Sequence, residues 1–285
     1  MSTGFRYCLR VGKMVLCGVT TGVAAAAVVY KTNGGKEDFL PTAQASWTTG
    51  YTPSTKWEGN WDRREPESLL SPNKTELDGS EYSAQIQKLK PTATRHLILI
   101  RHGHYAIEGE TDEKRVLTAQ GREQAELTGK RLKELDYPYS IMINSSMTRA
   151  QETADIIAKS VPLVPRGVCN MLREGAPIPP EPPVGHWKPE IKFYEDGARI
   201  EAAFRKYFHR ADPDQIKDSY EILVCHANVI RYFVCRAMQF PPEAWLRISL
   251  NHGSITWLAV RPSGRVSLRQ LGDCGHMPPS KISSA

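Results

Sequence analysis

The chain has 285 residues, of which 40% are hydrophobic and 24% charged, with 21 glycines and 20 prolines. This composition excludes a collagen, a coiled-coil rod and a wholly disordered chain, and the length suits one domain of about 150 to 250 residues with an appendage. The formal charge of +6 lies mostly at the start, because residues 1–36 contain five basic residues and no acidic one. The remaining chain is nearly neutral, with 32 basic and 31 acidic residues, so no nucleic-acid partner is expected.

The six cysteines lie far apart and include no C-x-x-C pair. This spacing is typical neither of a disulfide framework nor of a zinc site. We therefore expect reduced thiols that pack as small hydrophobic side chains in an intracellular compartment, and no metal.

The first predicted element is an apolar helix. Residues 14–30 carry no charge, are rich in Ala, Val and Gly, and lie between Lys13 and Lys31. Such a helix is about 26 Å long, slightly shorter than a ~30 Å hydrocarbon core, and a thin membrane or lysines that reach the interface would accommodate it. Residues 1–35 are therefore expected to form a single-pass membrane anchor, with a cleaved targeting segment and a buried soluble helix as the alternatives.

Residues 36–90 are polar and irregular, with little helical or strand periodicity, which is typical of a flexible linker. Within them the run 57–66 alternates large aromatic residues with charged ones and contains Trp57 and Trp61. A disordered spacer has little use for tryptophan. The run therefore either packs against its own domain or docks another copy or a partner, since Trp and Arg dominate interface energetics.

From residue 91 to residue 285 the pattern changes to that of one catalytic domain. Short apolar runs at 95–100 and 220–225 suit buried parallel strands. The segments between them predict a helix, a strand and a second helix, in this order: 117–135 with Thr118 at its start, 140–144 and 150–159. This alternation indicates an α/β fold with a mainly parallel central sheet flanked by helices.

A histidine follows each of the two apolar runs. His102 lies in the sequence Arg101-His102-Gly103 after the first run, and His226 comes directly after the second. The carboxyl ends of strands line the ligand crevice in an open α/β sheet, so we expect the two imidazoles to face one another. The third strand runs into residues 145–149, which place backbone N–H groups and Arg149 at a helix N-terminus. A cation is unfavourable at that end of a helix, which argues for an anion bound nearby.

These residue types suit phosphoryl transfer to an imidazole. A neutral His102 is a competent nucleophile, and the neighbouring cations Arg101 and Arg149 disfavour its protonation while they attract a phosphate dianion. An alkoxide leaving group needs a general acid, which Glu174 offers in a loop. The sequence thus predicts a two-step hydrolysis through a phosphohistidine on His102, with no cofactor, because the arginines and histidines supply what a metal supplies elsewhere.

The order of these blocks resembles the histidine phosphatase superfamily in its phosphoglycerate-mutase branch, over about residues 93 to 273. The resemblance rests on five blocks: 99–103, 117–125, 145–154, 172–174 and 226–227. It implies a phosphoglycerate-mutase-like fold, His102 as nucleophile, phosphate binding by Arg101, Arg149 and His226, and Glu174 as the acid. Sugar-phosphate enzymes of the superfamily usually have Glu or Gln and then Ser or Thr where this chain has His104 and Tyr105, which puts a small-molecule substrate in doubt.

A closer similarity is to the mitochondrial serine/threonine-protein phosphatases of the phosphoglycerate mutase family. It rests on the basic apolar start, the run 57–66 and blocks at 172–177, 186–190, 194–204 and 225–232. It implies a protein phosphatase without useful mutase activity, anchored to a mitochondrial membrane, the outer rather than the inner. It further implies a homo-oligomer, assembled and activated through the run 57–66, whose candidate residues are Trp57, Asn60, Trp61 and Asp62.

Two other functions fit parts of this pattern. A small-molecule phosphatase or phosphoglycerate mutase would turn over phosphoglycerates, and a membrane-bound scaffold would bind phosphoproteins without hydrolysing them. The complete set of His102, His226, Arg149 and Glu174 speaks against the scaffold. We therefore expect phosphoprotein substrates.

Overall fold

A mixed sheet organises the part of the chain that the computed structural model describes, namely residues 55–70, 79–185 and 188–284. Six strands are found there: β1 (Arg95–Arg101), β2 (Tyr139–Ser145), β3 (Arg166–Cys169), β4 (Ser219–Cys225), β5 (Ile255–Val260) and β6 (Val266–Asp273). Their order in the sheet is β3-β2-β4-β1-β5-β6. The four strands β3, β2, β4 and β1 run parallel, and β5 and β6 add an antiparallel edge.

Helices cover both faces of the sheet. The described helices are α1 (Pro66–Leu69), α2 (Gly79–Leu89), α3 (Ala119–Leu135), α4 (Thr148–Ala158), α5 (Glu190–Tyr207) and α6 (Ala227–Ala237). Because side chains alternate along a strand, neighbouring residues of β1 enter different cores. Leu97 and Leu99 pack in the core that contains residues of α5 and α6, whereas Ile98 and Ile100 pack in the core that contains residues of α3 and α4.

The predicted α/β fold with a mainly parallel sheet between helices is confirmed. Both apolar runs form strands, and every residue of β1 is buried, as a central strand covered on two faces requires. The first helix begins at Ala119, with the Thr118 hydroxyl as its N-cap acceptor for the Gly121 N–H at 3.1 Å. The second begins at Thr148, two residues before its predicted start.

The run 57–66 packs against its own domain. The Trp61 side chain is buried, and its indole N–H donates to the Gly264 carbonyl at 2.8 Å. The Asp62 carboxylate is also buried, accepts the Arg210 backbone N–H at 2.7 Å and lies 3.3 Å from the Arg210 guanidinium. Trp57, in contrast, is 41% exposed.

The boundary of the packed domain differs from the one expected at residue 91. Residues from Trp57 onward form one compact unit, and α2 is a helix of 11 residues inside the stretch expected to lack regular structure. The predicted membrane helix at 14–30 lies outside the described residues. No helix of the described ranges is both long and apolar enough to cross a bilayer.

Candidate active site

The two histidines expected to face one another do so at the carboxyl ends of β1 and β4. These strands are neighbours, with Arg101 opposite Cys225, and the His102 backbone N–H donates to the Cys225 carbonyl at 3.0 Å. The ring centroids of His102 and His226 are 5.0 Å apart, and both side chains are buried. The sheet topology thus joins two residues that lie 124 positions apart in the chain.

The hydrogen bonds of His102 define which nitrogen can act as nucleophile. Nδ1 lies 2.8 Å from the Gly103 carbonyl oxygen, which can only accept, so Nδ1 carries the ring proton. Nε2 accepts from Arg149 Nε at 3.2 Å and therefore presents its lone pair. Nε2 is therefore the ring nitrogen of His102 that can act as a nucleophile.

Burial and neighbouring cations keep both imidazoles neutral. Desolvation lowers the pKa of His102 well below its ordinary value, and His226, Arg149 and Arg101 lower it further. Desolvation likewise lowers the pKa of His226, followed by the charges of Arg149 and Arg101. A neutral His102 is nucleophilic across the physiological pH range.

His226 offers a buried hydrogen-bond donor beside the nucleophile. Its Nε2 lies 2.8 Å from the Ser145 hydroxyl, which accepts from the Met147 N–H and whose own proton has no other acceptor among the described residues. The hydroxyl therefore donates to Nε2, and the ring proton of His226 resides on Nδ1. That Nδ1 is buried and has no partner within the described part of the chain, so it is free to donate to a substrate oxygen.

Arg101 is positioned in part by a hydrogen bond to His252. Its guanidinium donates to the Leu250 carbonyl and, at 3.0 Å, to His252 Nε2, while its Nε is buried without a partner in the described ranges. His252 Nδ1 lies 3.0 Å from the Ser283 hydroxyl. Burial, followed by the charge of Arg101, lowers the pKa of His252 to about 3, so this imidazole is neutral and can accept. Burial also lowers the pKa of Arg101, to about 10, which leaves it charged at neutral pH.

Arg149 lies at the N-terminus of α4, where its charge is unfavourable. A carboxylate from the loop after β1 offsets that charge, because Asp112 lies 3.5 Å from the Arg149 guanidinium and accepts the Thr148 backbone N–H at 3.2 Å. The Tyr105 ring lies against the same guanidinium, 4.7 Å from its Cζ to the centroid, and contacts His102 edge-on. Two side chains of the loop that follows β1, Asp112 and Tyr105, thus contact Arg149.

Glu174 lies partly buried in the loop after β3, where the charges of Arg149 and Arg101 act on its carboxylate. Its carboxylate accepts the backbone N–H groups of Gly175, at 3.1 Å, and of Asn228. Desolvation raises the pKa of Glu174 despite these hydrogen bonds and the charge of Arg149. A raised pKa favours the protonated carboxyl that a general acid requires.

Arg199 on α5 holds the Glu174 loop. Its guanidinium donates to the carbonyl groups of Met171, Arg173 and Glu174 at 3.0, 2.6 and 3.2 Å. Asp196, 2.8 Å from Arg199, accepts the Ala176 N–H at 3.1 Å. These contacts fix the backbone on both sides of the acid.

The structure brings together every residue expected to bind or transfer a phosphoryl group: His102, His226, Glu174, Arg101 and Arg149. The candidate assembly residues lie elsewhere. Trp61 contacts the turn that follows β5. The last residue of β5 pairs with Arg95, so this turn lies at the end of β1 opposite His102. Among the described residues, no three His, Cys, Asp or Glu side chains are grouped to hold a metal ion.

Sequence reasoning missed the supporting roles of His252, Tyr105, Asp112 and Arg199. His252, to which no role was assigned from the sequence, is fully buried and contacts Arg101. One signal was present, because the turn 251–254 precedes an apolar run that forms β5. Only the antiparallel pairing of β5 with β1, however, brings that turn to the carboxyl end of β1.

Comparison with known proteins agrees with this geometry. The family model of the Histidine phosphatase superfamily (branch 1) matches residues 97–176 and 180–273. The chain is 53% identical, over 98% of both chains, to the Mus musculus protein named serine/threonine-protein phosphatase PGAM5, mitochondrial. It is 57% identical to the Drosophila pseudoobscura pseudoobscura protein of that name, over 84% of this chain and 86% of that one.

A solved phosphoglycerate mutase from Plasmodium falciparum is also similar. It is 35% identical, with a TM-score of 0.47, and the match covers 66% of this chain and 96% of that one. The family match spans more than half of the chain, and the curated relatives exceed half identity over most of it. The chain therefore belongs to branch 1 of the histidine phosphatase superfamily.

Proposed function

We propose that this protein hydrolyses phosphoserine and phosphothreonine in proteins through a phosphohistidine on His102. The observation that carries the proposal is a neutral, buried imidazole whose Nε2 lone pair points to Arg149 Nε at 3.2 Å. Arg101 Nε and His226 Nδ1 are also buried, and neither has a hydrogen-bond partner among the described residues. The relatives named serine/threonine-protein phosphatases support the class of substrate.

In the first step, the phosphoryl group displaces the Arg149 Nε–H from His102 Nε2. The freed Nε2 lone pair forms a bond to phosphorus as the bond from phosphorus to the serine or threonine oxygen breaks. The guanidinium groups of Arg101 and Arg149 balance the charge on the phosphoryl oxygens. The Glu174 carboxyl gives its proton to the departing oxygen, which leaves as an alcohol. The Gly103 carbonyl holds the proton of His102 Nδ1 throughout.

In the second step, water attacks the phosphohistidine. The Glu174 carboxylate takes a proton from the water, the oxygen forms a bond to phosphorus, and the phosphorus–nitrogen bond breaks. Its electron pair returns to His102 Nε2, and inorganic phosphate leaves. The enzyme is thereby restored with a neutral imidazole and a protonated acid.

The first experiment measures phosphate release from a phosphothreonine peptide, with 3-phosphoglycerate and 2,3-bisphosphoglycerate alongside. Release from the peptide that is lost in His102→Ala, and kept in the control His209→Gln near the start of β1, is the expected result. Turnover of the phosphoglycerates alone would overturn the proposal in favour of a mutase or small-molecule phosphatase. Binding of phosphoprotein without any release would indicate a scaffold.

The composition of residues 1–35 supports a proposal for the location of the protein. Residues 1–35 form a single-pass anchor in the outer mitochondrial membrane. The uncharged stretch 14–30 supports a membrane helix. The relatives named as mitochondrial support the organelle. Residues 36–56 then connect this anchor to the unit that begins at Trp57. Carbonate extraction and protease protection of the full chain, beside a chain lacking residues 1–35, test this arrangement. Release of the full chain by carbonate would contradict it.

Assembly into an activated homo-oligomer through the run 57–66 is a further part of the proposal. Trp57 is the residue best suited to a contact with another copy, because it is exposed while Trp61 and Asp62 are engaged within the domain. Asn60 shapes the run, since its side-chain oxygen accepts the Glu65 N–H at 3.0 Å. Light scattering and activity of Trp57→Ala test this, and an unchanged mass with unchanged activity would refute it.

A further inference from the structure

Two arginines flank the candidate acid and lack a close carboxylate partner. Arg173 precedes Glu174 in the chain, and its side chain is 41% exposed. Its guanidinium lies 3.3 Å from the Ser146 hydroxyl, and the nearest described carboxylate, that of Asp112, is 4.0 Å away. At that distance the carboxylate makes no hydrogen bond to Arg173, so most of the donors of this guanidinium remain available.

Arg231 approaches the same acid from α6. Its guanidinium donates to the Asn228 side-chain oxygen at 3.2 Å, and Asn228 donates its backbone N–H to Glu174. Residues three apart share a helix face, so Arg231 lies on the side of α6 that contacts the acid. Its Nε is buried without a partner in the described part of the chain, where no carboxylate lies within 4.0 Å of it.

The charges of Arg173 and Arg231 reach the phosphate pocket, where they act on His226 and Arg101, but neither guanidinium makes a hydrogen bond to His102, His226 or His252 among the described residues. A phosphate dianion is matched by Arg101 and Arg149, whose guanidinium groups lie next to His102 and His252. The nearby Asp112 is engaged with the Thr148 N–H and with Arg149. Arg173 and Arg231 therefore remain without a carboxylate at hydrogen-bond distance among the described residues. The charge of Glu174 does act on Arg231, but a protonated Glu174 carboxyl leaves that guanidinium unneutralised.

The position of Glu174 defines which part of a substrate the two arginines meet. The acid protonates the oxygen that links phosphorus to the serine or threonine, so it lies on the side of the phosphoryl group from which the protein chain departs. Groups that flank the acid therefore face the residues next to the phosphorylated one. Partly exposed guanidinium groups at such a place bind carboxylates or phosphates through paired hydrogen bonds.

We propose that the enzyme selects phosphoserine and phosphothreonine that have a second anionic group beside them, which Arg173 and Arg231 bind. The anion is a neighbouring aspartate or glutamate, or a second phosphorylated residue. This inference rests on the proposed protein phosphatase function and narrows its substrates. It assigns specificity to two side chains that are not needed to hold the transferred phosphoryl group.

The test compares three phosphothreonine peptides of equal length. One has alanine and glycine around the phosphothreonine, one has aspartate and glutamate there, and one has a phosphoserine two residues away. The kcat/KM of each is measured at low and high salt for the wild-type chain, Arg173→Gln, Arg231→Gln and the double variant. Arg166→Gln, an exposed arginine at the start of β3 paired with Asp155, is the matched control.

A preference of about tenfold for an anionic peptide, equivalent to about 1.4 kcal/mol, is expected for the wild type and the control. The preference should weaken at high salt and fall to near unity in the double variant. Whichever anionic peptide is preferred identifies the second group as carboxylate or phosphate. Equal kcat/KM for all peptides, or a uniform loss in the variants with the preference kept, would overturn the inference. If no peptide is hydrolysed, the proposed function itself fails.

Discussion

Arg149 Nε lies 3.2 Å from His102 Nε2 and donates to its lone pair. The same guanidinium contacts Asp112 and the face of Tyr105. One arginine thus orients the His102 ring and lowers its pKa. In the proposed mechanism it also supplies charge for the phosphoryl oxygens. Its place at the N-terminus of α4, which costs stability in isolation, is explained by the anion that the site binds.

Arg149→Lys should test this geometry, because lysine keeps the charge but lacks the planar guanidinium. We expect kcat/KM for a phosphothreonine peptide to fall about 10²- to 10³-fold, as on removal of a transition-state donor. Arg166→Lys at the start of β3 is the control. Wild-type kcat/KM in Arg149→Lys would show that charge alone suffices.

Glu174→Gln should reveal the general acid through the leaving group. Loss of the proton donor is expected to lower kcat/KM for a phosphothreonine peptide by about 10²- to 10⁴-fold, but to affect p-nitrophenyl phosphate far less, because nitrophenolate leaves without protonation. Glu126→Gln, an exposed glutamate on α3, is the control. A similar loss with both substrates would exclude this role.

The pH dependence of peptide hydrolysis should follow from the raised pKa of Glu174. The acid must be protonated for the first step, so kcat/KM falls as the pH rises through that pKa. The upward shift moves this fall to a higher pH than an exposed glutamate would give. A pH profile of the wild type with the peptide and with p-nitrophenyl phosphate checks this, and the falling limb should be absent with the second substrate.

His252→Ala should weaken phosphate binding, because it removes one of the acceptors that position Arg101. A misplaced charge of this kind costs about 10²-fold in kcat/KM. Ser283→Ala, which removes only the hydroxyl 3.0 Å from His252, should give a smaller loss of the same kind. Inhibition by inorganic phosphate should weaken in parallel. If kcat falls while phosphate inhibition is unchanged, His252 does not act through Arg101.

Buried neutral histidines should make stability decline in mild acid. The pKa values of His102, His226 and His252 are all lowered in the folded protein, chiefly by desolvation, so the unfolded chain binds more protons below pH ~6.5. Stability is therefore greatest above that pH and falls as the pH drops. Urea midpoints between pH 8 and pH 5 check this, and His252→Gln should show a shallower decline than the wild type.

Trp61→Ala and Trp57→Ala should differ in their effect on the free energy of unfolding. Trp61 is buried against Phe204 with its indole hydrogen-bonded, so its removal should lower the free energy of unfolding by about 3 to 5 kcal/mol. Trp57 is exposed, so its removal should leave the unfolding midpoint nearly unchanged. Chemical denaturation of both variants at one protein concentration provides the comparison. Equal destabilisation would contradict the packing described.

Strands β1, β2 and β4, the helices α3 and α4 and the placement of the two histidines could be predicted from the sequence, because the signals are local. An apolar run followed by His102 is enough to place that histidine at a strand end, and the topology of open α/β sheets then brings His226 to the same edge. The Thr118 cap is equally local, since the hydroxyl and the Gly121 N–H that it accepts are three residues apart.

Helix α2 and the packing of Trp61 could not be predicted in the same way. The helix has a polar sequence in which Ile86 alone is buried, so its hydrophobic pattern is weak. Trp61 lies 203 residues from its hydrogen-bond partner Gly264, and no local pattern links the two. The sequence alone therefore could not decide whether the run 57–66 packs against its own domain or docks another copy or a partner.

The sequence by itself determined the chemistry of this protein, because the types and order of His102, Arg149, Glu174 and His226 are enough to indicate phosphoryl transfer to an imidazole. Tertiary structure alone decided which nitrogen attacks, which groups hold Arg101 and which charges remain for the substrate. Those properties depend on distances of about 3 Å between residues far apart in the chain, and such distances arise only from strand register and loop packing.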